Sequence, residues 1–310
     1  MAGTDRLTPA DAQRQRPDLS LVAGDAAGDR ACASVWWHAV PTLAGHRVGI
    51  VGHYAAATAD AGRTVLAAAC EVLRAHGATL AVGPMDADTW HRYRLVTWRA
   101  ADPPFLQEPD NPDTWPNHFE QAGFVPLAGY HSACCDDLAA VPADDATAVR
   151  LQGEGFRLRT LDPARLDADL HQLWVAACDA FAGNFLYAPI AEDDFRHLYA
   201  RAIASVPPRM VTIAERAGHV AGFLLAFPDT LQAVRGERVD TVVLKTLGVV
   251  AAARRGGLGR WLFDRAVASA REAGFRRGIL ALIHDDNPSA RFARDQRRLI
   301  RRYTLFARPL

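Results

Sequence analysis

The stretch AARRGGLGRW, residues 252–261, lies between an apolar run at 242–250 and a segment of helical periodicity at 258–273. This order predicts a strand, a loop and a helix. Glycines let a backbone approach a ligand closely, and open amides at a helix N-terminus favour an anion. We therefore expect the loop to hold phosphate, with its arginines adding charge-assisted hydrogen bonds. A basic turn without a ligand is the alternative.

Two common phosphate loops are excluded by the residues present. A Walker loop needs Gly-Lys-Ser/Thr, which this stretch lacks, and the dinucleotide fingerprint needs glycine where Leu262 stands. What remains is the pattern Arg-x-x-Gly-x-Gly at residues 254–259.

Composition excludes several classes of function. The 310 residues contain 35 basic and 35 acidic side chains, so no overall charge favours nucleic acid or an anionic membrane, and we expect neither as partner. Five cysteines without a Cys-x-x-Cys pair argue against a disulfide framework and a structural zinc, so we expect reduced thiols and no metal. The polar first residues and the lack of a long apolar run predict a cytoplasmic protein.

The chain is predicted to divide near its middle. Residues 136–153 are rich in Asp and Ala and read as a linker between domains at 19–135 and 154–310, after a disordered tail at 1–18. In the second domain we predict helices at 164–181 and 192–204 and strands at 209–214, 220–227, 241–250 and 278–283.

An internal repeat relates the two halves. A shift of 197 residues places the second loop and helix over residues 49–77 without a gap, with Gly259 on Gly62 and Gly274 on Gly77. In the first half Ala57 and Asp60 replace the anchoring arginine and the first loop glycine. A carboxylate there repels phosphate, so the first half is predicted to be a degenerate scaffold. It also lacks the two opening helices of the second half, so we expect it to offer no comparable acceptor cleft.

The strand LKTLGVV, the Arg-x-x-Gly-x-Gly loop and an Asn-x-x-Ala motif at 287–290 together resemble the GNAT superfamily of acyl-CoA-dependent N-acyltransferases, over about residues 156–308. The resemblance implies an α/β fold with two tandem GNAT-like domains. Each would have a mixed, mostly antiparallel central sheet flanked by helices, and the N-terminal one would be truncated.

The same resemblance implies the residues that bind coenzyme A. The strand pairs with the pantetheine arm, the loop amides hold the pyrophosphate, and an asparagine contacts the arm. In this chain the matching residues are Leu247, Gly248, Val249 and Val250, then Arg254, Arg255, Gly256, Gly257, Leu258, Gly259 and Arg260, and Asn287. The N–H groups of Val249 and Val250 are expected to polarise the thioester carbonyl.

The sequence motifs indicate the acceptor site and the proton-transfer groups less clearly than the coenzyme A site. Asn184 and Tyr187, between the two opening helices, are candidate acceptor ligands, although such an aromatic cluster is as often plain core. Lys245 is a candidate contact for an anionic acceptor. His284 is the candidate general base, with a structural role as its alternative. Many family members have a tyrosine acid where Arg294 stands, so a tyrosine acid is not expected.

These features together predict transfer of an acetyl or other short acyl group from acyl-CoA to a small-molecule amine. One alternative is an acyl carrier protein as donor, which the basic residues Arg297, Arg298, Arg301 and Arg302 would face. Another is a non-catalytic module that only binds coenzyme A. An aromatic insertion containing Trp90 and Trp98 is expected to pack at the domain interface.

Overall fold

A twelve-stranded mixed sheet with helices on its faces forms the computed structural model, which describes residues 8–25, 28–204 and 206–310. The strands are β1 Leu19–Asp25, β2 Gly28–Trp36, β3 Val48–Ala56, β4 Leu80–Gly83, β5 Leu95–Arg99, β6 Val125–Cys135, β7 Phe156–Thr160, β8 Val211–Arg216, β9 His219–Pro228, β10 Thr241–Val249, β11 Arg277–His284 and β12 Arg298–Pro309. The helices are α1 Pro9–Arg14, α2 Ala59–Ala75, α3 Trp115–Gln121, α4 Asp145–Gly153, α5 Leu166–Phe181, α6 Glu192–Ala204, α7 Leu231–Val234 and α8 Leu258–Glu272.

The predicted repeat is present as a repeated unit of the fold. In the first half β3 and β4 are parallel and joined through α2, and in the second β10 and β11 are parallel and joined through α8. Both helices bury one apolar stripe; in α8 it contains Leu258, Leu262, Ala266 and Ala270, four residues apart. The prediction of tandem, mostly antiparallel sheets is confirmed, and the two sheets are continuous.

The two halves exchange their last strands. The strand order is β1-β2-β3-β4-β12-β6-β11-β10-β9-β8-β7, with β5 added beside β12. Strand β6 of the first half therefore pairs with β11 of the second, and β12 of the second pairs with β4 of the first. The segment 136–153 divides the chain in sequence, but the sheet continues across that division.

Several local expectations need correction. The first seven residues of the proposed tail lie outside the described residues, while α1 forms within the tail and is capped by the hydroxyl of Thr8. The proposed linker contains α4, whose N-terminus is capped by Asp144. Trp90 packs between the halves as expected, because its indole donates to the carbonyl oxygen of Ala188. Trp98 instead lies at the surface, with 44% of its area exposed.

The central sheet opens where β10 and β11 stop pairing. Residues 241–244 pair with 277–280, and beyond these the two strands diverge. A bulge at Lys245 on one side and an irregularity after Leu280 on the other accompany the divergence. Irregularities of this kind bend strands and redirect their side chains. The opening positions the candidate site.

One buried ion pair fixes the exchanged strand β12. Arg301 and Glu108 are each fully buried, with Arg301 Nε 2.9 Å from Glu108 Oε1, and the hydroxyl of Tyr303 donates to the same carboxyl at 2.8 Å. Arg298 pairs with Asp102 and Asp136. The arginine run therefore does not form one continuous basic surface, because Arg301 lies in the core between the exposed Arg298 and Arg302.

Replacing Glu108 with Ala is expected to lower the free energy of unfolding by about 3–5 kcal/mol, since it leaves a buried guanidinium without its counter-charge. Urea denaturation followed by circular dichroism measures the change. The double variant Glu108→Leu/Arg301→Met removes both charges and serves as control, with a smaller expected loss. Equal losses in the two variants would contradict this account.

Candidate functional site

The N-terminus of α8 is open to an external anion. Gly257 forms its N-cap with a φ of +84°, in the left-handed region that glycine tolerates, and no side chain caps the helix. In the equivalent helix α2, Thr58 Oγ1 accepts from the amide of Ala61, and Asp60 pairs with Arg63 at 2.5 Å. The first amides of α8 therefore lack the partners that the first half supplies internally.

The linker helix α4 braces this loop from outside. Arg150 Nη2 donates to the carbonyl oxygen of Gly256 at 2.6 Å. A Cβ at Gly257 would lie 2.8 Å from Thr147 Cγ2. Sequence reasoning missed this contact because 136–153 was interpreted as a linker.

The loop arginines have different surroundings. Arg254 folds back and donates to the carbonyl oxygens of Ala180, at 2.6 Å, and Val249, at 3.3 Å. Arg260 pairs with Asp264 at 2.7 Å and also donates to the carbonyl oxygen of Pro142. Arg255 is exposed. The guanidinium groups of Arg254 and Arg260 thus stabilise the loop, which leaves its amides and Arg255 facing outward.

The strand expected to bind the pantetheine arm needs one correction. The N–H of Val250 donates to the carbonyl oxygen of Ala221 at 3.0 Å, so it cannot polarise a thioester. Backbone groups alternate along a strand, so the N–H of Val249 points to the opposite side, into the opening beside β10. The N–H of Leu247 points in the same direction as the N–H of Val249. The backbone N–H of Gly248 points toward β9, and its Cα packs against Phe223.

Asn287 forms a side-chain cap at the end of β11. Its Oδ1 accepts from both the amide and the hydroxyl of Ser289, at 2.9 and 2.8 Å. The carbonyl end of the side chain is thus fixed, and its Nδ2 donor has no acceptor among the described residues.

A cavity of about 1180 Å³ occupies the opening of the sheet. It brings together all four predicted acceptor and catalytic residues, which are Asn184, Tyr187, Lys245 and His284, and two of the predicted coenzyme A-binding residues, Leu247 and Asn287. Volumes of roughly 300–1,000 Å³ are usual for small-molecule sites. The glycine loop lies outside the cavity but close to it, since a Cβ at Gly259 would lie 3.8 Å from Leu247 and Phe292 on the cavity wall.

His284 is held as a hydrogen-bond donor. Its Nδ1 accepts from the amide of Asp286 at 3.1 Å, so the neutral ring carries its proton on Nε2. The ring packs edge-on against Tyr130, with centroids 4.9 Å apart. An imidazole in this tautomer can donate to a carbonyl or a thiolate, and it lacks an open lone pair for accepting a proton.

A second histidine has the opposite arrangement. His91 Nδ1 lies 2.8 Å from Asp88 Oδ1, and since a carboxylate accepts, Nδ1 donates and Nε2 keeps the lone pair. His91 lines the same cavity. Burial by itself lowers the pKa of His91, but the hydrogen bond to Asp88 and the charges of Asp88 and Asp86 outweigh it and raise the pKa. Sequence reasoning missed this pair, although HRYR beside Asp88 lies in the noted insertion.

The three predicted acceptor contacts differ in how they are held. Lys245 Nζ donates to the backbone and side-chain oxygens of Gln107, at 3.1 and 3.0 Å. Burial and a hydrogen bond with Cys178 raise the pKa of Tyr187, so its hydroxyl stays protonated at neutral pH. Asn184 lies in the exposed turn after α5. All three remain predictions as acceptor ligands.

The described residues contain neither a membrane-spanning helix nor a three-residue metal-binding group. None of their helices combines the length and apolar character that crossing a bilayer requires. Their histidine, cysteine and acidic side chains form no group of three that could hold a metal ion.

Comparison with known proteins finds a family match within the second half. The model of the acetyltransferase (GNAT) family matches residues 170–296. A bacterial ceramide synthase of Caulobacter vibrioides is 27% identical over 168 residues, which make up 54% of this chain and 44% of that protein. The chain thus matches under half the length of that relative.

Two solved structures match nearly the whole chain in fold. A GCN5-related N-acetyltransferase from Sphaerobacter thermophilus has a TM-score of 0.52 at 16% identity, over 97% of this chain and 84% of that one. A tandem GNAT protein from the clavulanic acid biosynthesis pathway has a TM-score of 0.51 at 15% identity, over 99% and 90%. Residues 170–296 therefore match the GNAT family model, and the chain as a whole has a tandem GNAT fold.

Proposed function

We propose that the protein transfers an acyl group from a coenzyme A thioester to the amine of a small molecule. The observation that carries this proposal is the uncapped N-terminus of α8 beside a large cavity in the opening between β10 and β11. Open helix amides suit a pyrophosphate. The adjoining cavity gives a thioester and an amine room to meet.

The donor is proposed to lie along the open edge of β10. Amides from residues 256–260 would hold the pyrophosphate, and Leu247 and Val249 would pair with the arm, whose carbonyl groups Asn287 would contact. The residues present fit coenzyme A, because the loop carries no side-chain cap and β10 does not pair with β11 beyond residue 244. Acetyl-CoA is the simplest such donor.

The two cavity histidines suit opposite proton roles. We assign His91 as the base that takes a proton from the amine through Nε2, with Asp88 orienting its ring. His284 donates from Nε2 toward the thioester oxygen or the departing thiolate. This assignment replaces the expectation that His284 is the base, because its Nδ1 is already bonded to a backbone amide.

The two remaining alternatives have less support. A carrier protein would need an exposed basic surface, but Arg301 is buried and Arg298 is paired within the chain. A module that only binds coenzyme A would not need an imidazole oriented by a carboxylate. Both alternatives are decided by experiment.

Calorimetric titration of the full chain with coenzyme A, combined with a thiol-release assay on acetyl-CoA and a panel of amines, tests the proposal. We expect one coenzyme A per chain and amine-dependent thiol release. Binding without release for any amine or acyl length would favour the binding module. Release only from an acylated carrier would favour the carrier protein.

Replacement of His284 separates the donor role from the base role. His284→Ala is expected to lower kcat by about 10²-fold, since removal of one such donor costs about that much. His284→Gln keeps an N–H donor but cannot accept a proton at neutral pH, so we expect most of the activity to return. Equal losses in both variants would restore the assignment of His284 as the base.

A further inference from the structure

A second cavity of about 820 Å³ lies in the first half, where none was predicted. It opens beyond residues 48–50 and 80–82, where β3 and β4 stop pairing, and is the counterpart of the opening between β10 and β11. Its lining is mainly apolar and includes Tyr54, Leu95, Phe105, Trp115 and the alanines at 55–57. The first half therefore contributes to a cavity, while its expected lack of an acceptor cleft stays a prediction.

Arg94 stands in the wall that separates this cavity from the central one, since it lines both. The side chain is only 5% exposed, and two of its buried donors, Nε and Nη1, have no acceptor among the described residues. Its guanidinium carbon lies 3.9 Å from the ring centroid of Tyr93 and 4.1 Å from that of Tyr130. Aromatic faces attract the charge but do not satisfy the N–H groups.

The carboxylates that line the second cavity already have partners. Asp86 pairs with Arg92 at 3.2 Å, and Asp110 with Arg99 at 3.2 Å. Glu108 contacts Arg301, and burial raises its pKa to about 7 although the charge of Arg301 opposes the rise. A buried guanidinium without hydrogen-bond acceptors is costly, and an anion from outside the chain would satisfy it.

We propose that the second cavity binds an aliphatic chain that ends in a carboxylate, with the chain among the apolar residues and the carboxylate on Arg94. The apolar part of the lining suits a hydrocarbon chain. Guanidinium and carboxylate form the strong charge-assisted hydrogen bonds that this desolvated position lacks. The site is separate from the proposed acyl transfer and does not depend on it.

Binding of dodecanoate to the full chain, with 1-dodecanol as the uncharged probe, tests the proposal by calorimetry. We expect one dodecanoate per chain, and at least a tenfold loss in Arg94→Met, with dodecanol affinity changed little. Arg94→Lys keeps the charge and is the matched control. Titration of each variant with coenzyme A and its thermal melt report whether the fold and the other site are intact.

Cys32 provides an independent readout because its thiol lines the second cavity. Dodecanoate is expected to slow alkylation of Cys32 by iodoacetamide several-fold, measured by peptide mass spectrometry in the wild-type chain. This measurement decides the question even if Arg94→Met fails to fold. Absence of dodecanoate binding, equal binding to Arg94→Met, or binding without protection of Cys32 would each overturn the proposal.

Discussion

His91→Gln is expected to lower turnover by about 10²-fold or more, the usual scale for a removed general base. Glutamine has similar size but no basic nitrogen, so coenzyme A affinity should not change. His197 lines the same cavity and pairs less closely with a carboxylate, 3.5 Å from Asp11 Oδ1. His197→Gln is therefore the matched control, with an expected change of a few-fold at most.

The pH profile gives a second test of His91. Because Asp88 raises its pKa, the base form is populated only above that raised value. We expect kcat/KM to rise with pH through the pKa of His91 and then level off. Asp88→Asn removes the charge that raises the pKa, so the rising limb should move to lower pH. A limb that does not move, or activity retained in His91→Gln, would contradict the assignment.

Gly256→Asp is expected to weaken coenzyme A binding by about tenfold or more, which corresponds to at least about 1.4 kcal/mol. The new carboxylate would stand at the helix N-terminus and repel the pyrophosphate. A Cβ at 256 meets only the carbonyl oxygen of Ala253, at 3.9 Å, so the backbone accepts a side chain there. Calorimetric titration measures the loss.

Gly256→Asn is the control, because asparagine has nearly the same shape without the charge. We expect it to bind coenzyme A within a few-fold of the wild type. Position 257, which corresponds to Asp60 in the first half, is a poorer choice. Its φ of +84° and the contact with Thr147 would strain any side chain. Equal affinity in Gly256→Asp and the wild type would place the pyrophosphate elsewhere.

Features that depend on neighbouring residues were readable from the sequence. The glycine loop and the start of α8 each depend on a short segment, and α6 has the predicted bounds. The repeat also predicted that both halves contain the same unit, because similar hydrophobic patterns fold into similar units. The family followed from these local motifs.

Features that depend on pairing between distant segments were not readable. The direction of the Val250 N–H is set by its register with β9, and one residue of register reverses it. His91 reaches the cavity on an insertion in the other half of the chain. Strand β12 was missed because the five arginines at 297–308 obscure its alternation of apolar and polar residues. One of these arginines, Arg301, is buried because it pairs with Glu108.

The exchange of β6 and β12 makes the protein one unit of unfolding. Cutting the chain at 136–153 would remove β6 from between β11 and β12, and it would leave β4 without the strand that covers its edge. Unpaired edges of this kind promote aggregation. The pairs between β6 and β12 also join residues more than 160 positions apart, so folding must close long loops before the sheet is complete. The first half therefore supplies a strand that the sheet of the second half needs, and neither half is expected to fold alone.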